Sequence, residues 1–220
     1  MELPRVVRCV VFDLDGTLLD TVDDIALNLR RALVACGHDA PSVERVRTMV
    51  GDGARVLVSR ALGDAASEAE VSRVHARFLD EYALDPIPST RVMPGAFALL
   101  DALNARQITS IVCTNKTRRI ASLVVDRVLG NRVQGLVAGG DTPKLKPDAG
   151  PVLAALALAH ATASDSVMIG DGTQDVRAVR AAGVACIGFH GGYGEAGRLA
   201  EAEPDAMVSH FDEVLAILSL

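Results

Sequence analysis

Two aspartates, Asp13 and Asp15, leave an apolar run together in the stretch VVFDLDGTLLDT, Val10 to Thr21. A buried strand gains nothing from adjacent carboxylates, because an unpaired charge taken out of water is costly and tends to be neutralised. A cation is therefore expected beside them. Three further clusters carry matching chemistry: Thr114-Asn115-Lys116, then Lys144 and Lys146-Pro147 in GGDTPKLKP, then Asp171 and Asp175 in GDGTQD. Each follows a run that reads as a strand. Carboxylates, a hydroxyl and amines gathered in this way are the parts needed to hold a divalent cation and a phosphate.

Each cluster alone has an ordinary structural explanation. DLDGT could open a calcium loop, but an EF-hand needs an acidic or amide residue at 17 and glycine at 18, where this chain has Thr17 and Leu18. A turn accounts for Asp15-Gly16 and leaves Asp13 unexplained. Thr114 could cap a helix, Lys146 could be solvated, and Asp171 with Asp175 could be an N-cap and an exposed helical carboxylate. The four clusters together, in this order and each behind a strand, are not accounted for in that way. In open parallel sheets ligands bind at the carboxyl ends of the strands.

The elements that must position these groups are short β-branched runs alternating with helical patterns, the signature of an α/β parallel sheet. The predicted strands are VVRCVVF from Val6, ITSIVC from Ile108, VQGLVAG from Val133, SVMIG from Ser166 and VACIGF from Val184, with AMVS near Met207 as an edge. Their nearly continuous apolarity fits a sheet covered by helices on both faces. From Thr21 to about Pro88 only helical patterns occur. Thr21 with Asp24 reads as a helix start, followed by Ile25, Leu29, Ala32 and Leu33 at helical spacing. SEAE at Ser67 to Glu70 reads as a capping box, with Val71, Val74, Phe78 and Tyr82 marking one face. The expected organisation is an α/β core of residues 1–20 and 88–220, with a helical module of residues 21–87 inserted between hinges near Leu19–Thr21 and Asp85–Thr90.

Composition narrows the classes further. The chain has 220 residues, half of them hydrophobic, and a formal charge of −6 without a basic cluster, which argues against nucleic acid or an anionic membrane as partner. With 3% aromatic residues and no tryptophan it offers no stacking platform for bases. PVLAALALAHA is too short to span a bilayer. Cys9, Cys36, Cys113 and Cys186 lack C-x-x-C pairing and read as buried thiols of a reducing, cytoplasmic setting. No targeting segment is expected, since MELPRVVRC passes straight into the first predicted strand. The five histidines show no metal-ligand spacing.

The set DxDGT, Thr-Asn, Lys-Pro and GDxxxD resembles the haloacid dehalogenase (HAD) superfamily, and the resemblance covers the whole chain. It implies a Rossmann-like core with a helical cap of the first type, and an Mg²⁺-dependent phosphomonoesterase. Carried over, Asp13 is the nucleophile that forms an aspartyl-phosphate. Asp15 protonates the leaving alcohol and later deprotonates water, and Gly16 supports the loop. Mg²⁺ sits on Asp13, the backbone carbonyl of Asp15, and Asp171. Thr114, Asn115 and Lys146 face the phosphate, and Asp175 positions Lys146 or a metal-bound water. Asp15 argues against the dehalogenase members, which lack the second carboxylate. The chain departs from many relatives in KPDAGP and in Gly172. Lys146 is preferred over Lys144 because Pro147 follows it.

VGDGARVLVSRAL from Val50, together with MPGAFALLDAL, CTNK and GGYG (Gly191 to Gly194), is similar to the phosphoglycolate phosphatases. On turn chemistry alone Gly51-Asp52-Gly53 is equally an ordinary helix-to-helix turn. The resemblance implies a small phosphorylated metabolite as partner, and specificity set in the cap. Arg55 is the candidate for the substrate carboxylate and Lys116 the second, although either could be a surface or structural charge. The absence of lysine from the cap disfavours phosphonoacetaldehyde hydrolase. The alternatives are a phosphatase for a sugar phosphate, nucleotide or pyrophosphate, or a fold that only binds a phosphorylated ligand. Monomer and dimer both stay open.

Overall fold

The computed structural model describes residues 2–194 and 196–218. In chain order it contains β1 (Cys9–Phe12), β2 (Leu19–Asp20), α1 (Val22–Ala35), α2 (Val43–Arg47), α3 (Ala54–Leu62), α4 (Glu68–Leu84) and β3 (Arg91–Val92). Then follow α5 (Ala96–Ala105), β4 (Thr109–Thr117), α6 (Arg118–Val124), β5 (Gly135–Gly139), α7 (Gly150–Leu158), β6 (Ser166–Gly170) and α8 (Thr173–Ala182). The chain closes with β7 (Ala185–Phe189), α9 (Ala196–Glu201), β8 (Ala206–Val208) and α10 (Asp212–Ile217). Six strands make one sheet in the order β5-β4-β1-β6-β7-β8, and every neighbouring pair is parallel. All six predicted strands are present, in an α/β Rossmann-like sheet.

The continuous apolarity of the strands follows from this layering. Alternate residues of β1 belong to two different cores. Val10 and Phe12 join the cluster that also contains Leu99 and Leu103 of α5, while Cys9 and Val11 join Val152 of α7 and Val176 of α8. A parallel strand buried on both faces has no solvent side on which to place polar residues.

Between Val22 and Leu84 the described chain forms helices α1 to α4 and no strand, as expected. Ile25, Leu29, Ala32 and Leu33 of α1 and Val71, Val74, Phe78 and Tyr82 of α4 are buried in one apolar cluster. Both helix starts differ in detail from the sequence reading. Ser67 caps α4, accepting the Glu70 N–H at 3.2 Å, but the capping box is only half made, since the Glu70 carboxylate lies 3.1 Å from His38 Nε2 instead. The Thr21 hydroxyl does not cap α1; it donates to Asp15 Oδ1 at 2.6 Å. The sequence reading also lacks β2 and β3, an antiparallel pair of two residues each, matching Leu19 with Val92 and Asp20 with Arg91. Through this ribbon the two connections to the helical segment leave the core side by side.

Asp24 fixes the second connection. Its fully buried carboxylate accepts the Ser89 N–H at 2.8 Å and the Thr90 hydroxyl. Asn28, one turn on, donates to the Asp85 carbonyl at 3.3 Å. Asp24→Ala removes the acceptor from two part-buried donors, so the free energy of unfolding is expected to fall by about 1–3 kcal/mol. Urea titration measures this directly, and a loss below about 0.5 kcal/mol would show that the carboxylate has no such role.

No helix among the described residues is long and apolar enough to cross a membrane. Cys9, Cys113 and Cys186 are buried thiols, as expected, and Cys36 is partly buried.

Candidate active site

The order β4-β1-β6 puts the ends of three parallel strands next to one another, and the loop after β5 closes over them. Lys146, on that loop, is 2% exposed. Its ammonium lies 2.8 Å from Asp13 Oδ1, 2.6 Å from Asp175 Oδ1 and 2.6 Å from the Cys113 carbonyl. Residues separated by more than 130 positions in sequence thus form a single buried ion cluster. Burial works against a charged ammonium, but Asp13 and then Asp175 overcome it and hold Lys146 firmly protonated.

Asp171 sits beside this cluster. Its Oδ1 accepts the Thr17 hydroxyl at 3.0 Å, and its Oδ2 accepts the Tyr193 and Gly194 N–H groups at 2.6 and 3.1 Å. Oxygens of Asp13, Asp171 and Asp175 all lie within 4.8 Å of one another. Asp175 Oδ2 is held by the Gly172 N–H at 3.0 Å. Gly16 is where the chain must pass close: its φ is +87°, and a Cβ there would lie 2.5 Å from Asp171 Oδ2. Burial raises Asp13 most, and Asp175 and Asp171 raise it further against the pull of Lys146. Burial and then Asp175 raise Asp171. Carboxylates pressed together in this way favour either a proton or a cation.

Asp15 forms a second cluster. Lys116 Nζ contacts its two oxygens at 2.9 and 3.1 Å and the Tyr82 hydroxyl of α4 at 2.8 Å. Lys116 is 8% exposed and also lies 4.6 Å from the Tyr82 ring centroid. Although burial opposes its charge, Asp15 holds it protonated. Four carboxylates (Asp13, Asp15, Asp171, Asp175) therefore face two ammonium groups. The excess of two negative charges, on hard oxygen donors, matches what a divalent cation would cancel.

A cavity of about 50 Å³ is lined by Asp13, Asp15, Thr114 and Lys116, with apolar walls that include Ile25, Leu57 and Phe78. A wider cleft of about 690 Å³ reaches Asp15 and Asp171 past Arg47, Arg60, Gln174 and Tyr193. The Arg47 guanidinium lies 5.0 Å over the Tyr193 ring, and the Tyr193 hydroxyl meets the N–H groups of Thr21 and Val22 and donates to Asp20.

Asp13, Asp15, Gly16, Thr114, Asn115, Lys146, Asp171 and Asp175 are thus brought to one end of the sheet. The Thr114 oxygen accepts the Lys116 N–H at 3.1 Å, which leaves its hydroxyl proton to donate. Asn115 was expected to face phosphate, but both its amide hydrogens are used, on the Gly51 and Lys146 carbonyls at 2.9 Å each. It ties the glycine turn and the Lys146 loop to β4. Arg55 is not at either opening: it is exposed and engages Glu68 and Ser72 of α4, the latter at 3.2 Å. Lys144 is also outside, 3.5 Å from Asp148. The sequence reading gave Thr17, Tyr82 and Tyr193 no place in the site. Thr17 lies within DLDGT and Tyr193 within GGYG, so a signal existed for both. Tyr82 was indistinguishable from its apolar stripe.

Comparison with known proteins agrees with this arrangement. Residues 10–189 match the family model described as haloacid dehalogenase-like hydrolase. The phosphoglycolate phosphatase of Pseudomonas putida is 36% identical over 217 residues, covering 96% of this chain and 78% of that protein. The phosphoglycolate phosphatase of Agrobacterium fabrum is 34% identical over 205 residues, covering 91% and 88%. Among solved structures, a predicted phosphoglycolate phosphatase from Haemophilus somnus superposes with a TM-score of 0.88 at 26% identity, over 96% of this chain and 97% of that one. CbbY from Rhodobacter sphaeroides, solved with phosphate, superposes at 0.83 with 20% identity over 98% and 100%, a likeness of fold.

Proposed function

The chain belongs to the haloacid dehalogenase-like hydrolases, and on that footing we propose that it hydrolyses 2-phosphoglycolate to glycolate and phosphate. The observation that carries the phosphatase chemistry is the Lys146 ammonium bridging Asp13 and Asp175, with Asp171 and Asp15 at the neighbouring strand ends. An Asp13 oxygen attacks phosphorus as the bond from phosphorus to the ester oxygen breaks, and Asp15, in the protonated form left by the preceding hydrolysis, protonates the departing alkoxide. Asp15 then takes a proton from water, which attacks the aspartyl-phosphate and restores Asp13 as inorganic phosphate leaves. Lys146 and the Thr114 hydroxyl hold phosphate oxygens throughout. Asp175 keeps Lys146 in place, and the helical segment of residues 21–87 acts as a cap over the reaction.

Asp13, Asp171 and the backbone carbonyl of Asp15 would hold Mg²⁺, supported by the excess of buried negative charge. When bound, the ion offsets repulsion between an anionic nucleophile and the phosphate. Asp13 and Asp171 have raised values in the folded chain, so the stability they contribute in protonated form is complete below the ordinary carboxylate range. It is lost as pH rises through the raised values. Mg²⁺ competes with those protons. Thermal stabilisation by Mg²⁺ is therefore expected to be larger near pH ~8 than near pH ~5.5, reaching about 2.7 kcal/mol at 100 times its dissociation constant. Equal stabilisation at both pH values would contradict a cation on these carboxylates.

Phosphoglycolate is favoured by the named activity of the relatives and by the small cavity beside Asp13. Four free cysteines fit a cytoplasmic setting. The test is Mg²⁺-dependent phosphate release across phosphoglycolate, sugar phosphates, nucleotides, pyrophosphate and an aryl phosphate. A kcat/KM for phosphoglycolate at least about tenfold above the others is expected. Activity centred on another ester would keep the mechanism and remove this substrate.

A further inference from the structure

We propose that Lys116, pinned by Tyr82, is the specificity-determining residue of this site: it receives a carboxylate on the non-phosphate end of the substrate, in exchange for Asp15. The inference rests on the phosphoglycolate reading and places discrimination on the core strand β4, with α4 of the helical segment supplying only the pin.

The cavity beside Asp13 is small and mostly walled by apolar side chains, among them Ile25, Leu57, Phe78 and Ile120. Among the described residues, Lys116 alone contributes a cation to its lining. A cation in such surroundings is costly unless paired, and its pairing is correspondingly selective. Its three hydrogens are accounted for by the two Asp15 oxygens and the Tyr82 hydroxyl. Tyr82 comes from the helical segment and holds the ammonium independently of Asp15.

An incoming anion can replace an Asp15 contact without leaving the buried ammonium unpaired. A neutral tail cannot, because withdrawal of Asp15 would then expose an uncompensated charge. Asp15 also has a second anchor, the Thr21 hydroxyl at 2.6 Å, to hold it while the exchange takes place. Asp13, Thr114 and Lys116 line one cavity, so a compact ester can present its phosphate to the first two and its carboxylate to the third. Arg55, engaged with Glu68 and Ser72 outside the cavity, does not compete for this role.

The experiment compares phosphoglycolate with 2-hydroxyethyl phosphate, in which a neutral hydroxymethyl replaces the carboxylate, in the wild-type protein and in Lys116→Met. Turnover of the neutral ester reports on folding and on the shared chemistry. The ratio of the two kcat/KM values reports on the carboxylate. The wild type should favour phosphoglycolate, and Lys116→Met should lower that ratio roughly 10- to 100-fold, chiefly through KM. Tyr82→Phe, which removes the pin and keeps the ring, should shift the ratio in the same direction by less. It serves as the test if Lys116→Met does not fold. An unchanged ratio in a folded variant overturns the role of Lys116 and leaves the phosphoglycolate reading standing. A wild type that does not favour phosphoglycolate overturns that reading, and this inference with it.

Discussion

Asp13→Asn is expected to reduce turnover by roughly 10⁴-fold or more, because a neutral amide has no anionic oxygen to attack phosphorus. The fold should survive the change. Asparagine has nearly the same shape, its oxygen can still accept from Lys146, and Lys146 keeps Asp175 as its counter-charge. Removal of one carboxylate from a crowded set that burial already strains should leave thermal stability equal or slightly higher without Mg²⁺. The decisive pair of measurements is single-turnover phosphate release alongside a thermal melt. A folded variant with near-normal turnover would sink the covalent route. A variant that lost activity only through unfolding would say nothing for Asp13 as nucleophile, and the melt separates the two cases.

The second large effect is at Asp15. Asparagine is the better replacement than alanine here, since alanine would leave the buried Lys116 ammonium with Tyr82 as its only remaining side-chain partner among the described residues. Asp15→Asn should cost about 10²- to 10⁴-fold in kcat for an alkyl ester such as phosphoglycolate, the range expected for removal of a general acid. An aryl phosphate has a leaving group stable enough to depart without a proton, so its first step should suffer much less. Rapid-mix measurement of alcohol or phenol release resolves that step from later hydrolysis. Equal losses for the two esters would contradict proton transfer by Asp15 and would leave it only the task of holding Lys116.

These two positions were legible from the chain because their signal is local. An apolar strand that ends in two carboxylates is chemically conspicuous, and the rule that parallel sheets present ligands at their carboxyl ends ranked the other three clusters with it. The helical segment was legible for a similar reason. The spacing of Ile25, Leu29 and Leu33, and of Val71, Val74, Phe78 and Tyr82, is set by the helix period alone. The ribbon of β2 and β3 escaped because a strand of two residues has no period to detect.

Arg55 and Lys116 show where local reasoning stops. Both are cations near a motif, and sequence ranked Arg55 first. The pairing between β4 and β5 is irregular between Cys113 and Thr117, so the alternation of side chains along β4 does not carry through to Lys116. Which way that lysine points depends on the irregularity and on Tyr82, thirty-four residues earlier. Arg55 is drawn away by Glu68, whose approach depends on how α3 packs against α4.

The sequence by itself therefore determined the parallel α/β core, the helical insert, and the residue types that meet at the strand ends, since strand period, helix period and the cost of burying charge all act locally. Only the tertiary structure decided which ammonium meets which carboxylate. The pairing of Lys146 with Asp13 and Asp175, and of Lys116 with Asp15 and Tyr82, comes from strand order, an irregular register and contact between helix and core. Those are long-range packing outcomes, and no short window of residues encodes them.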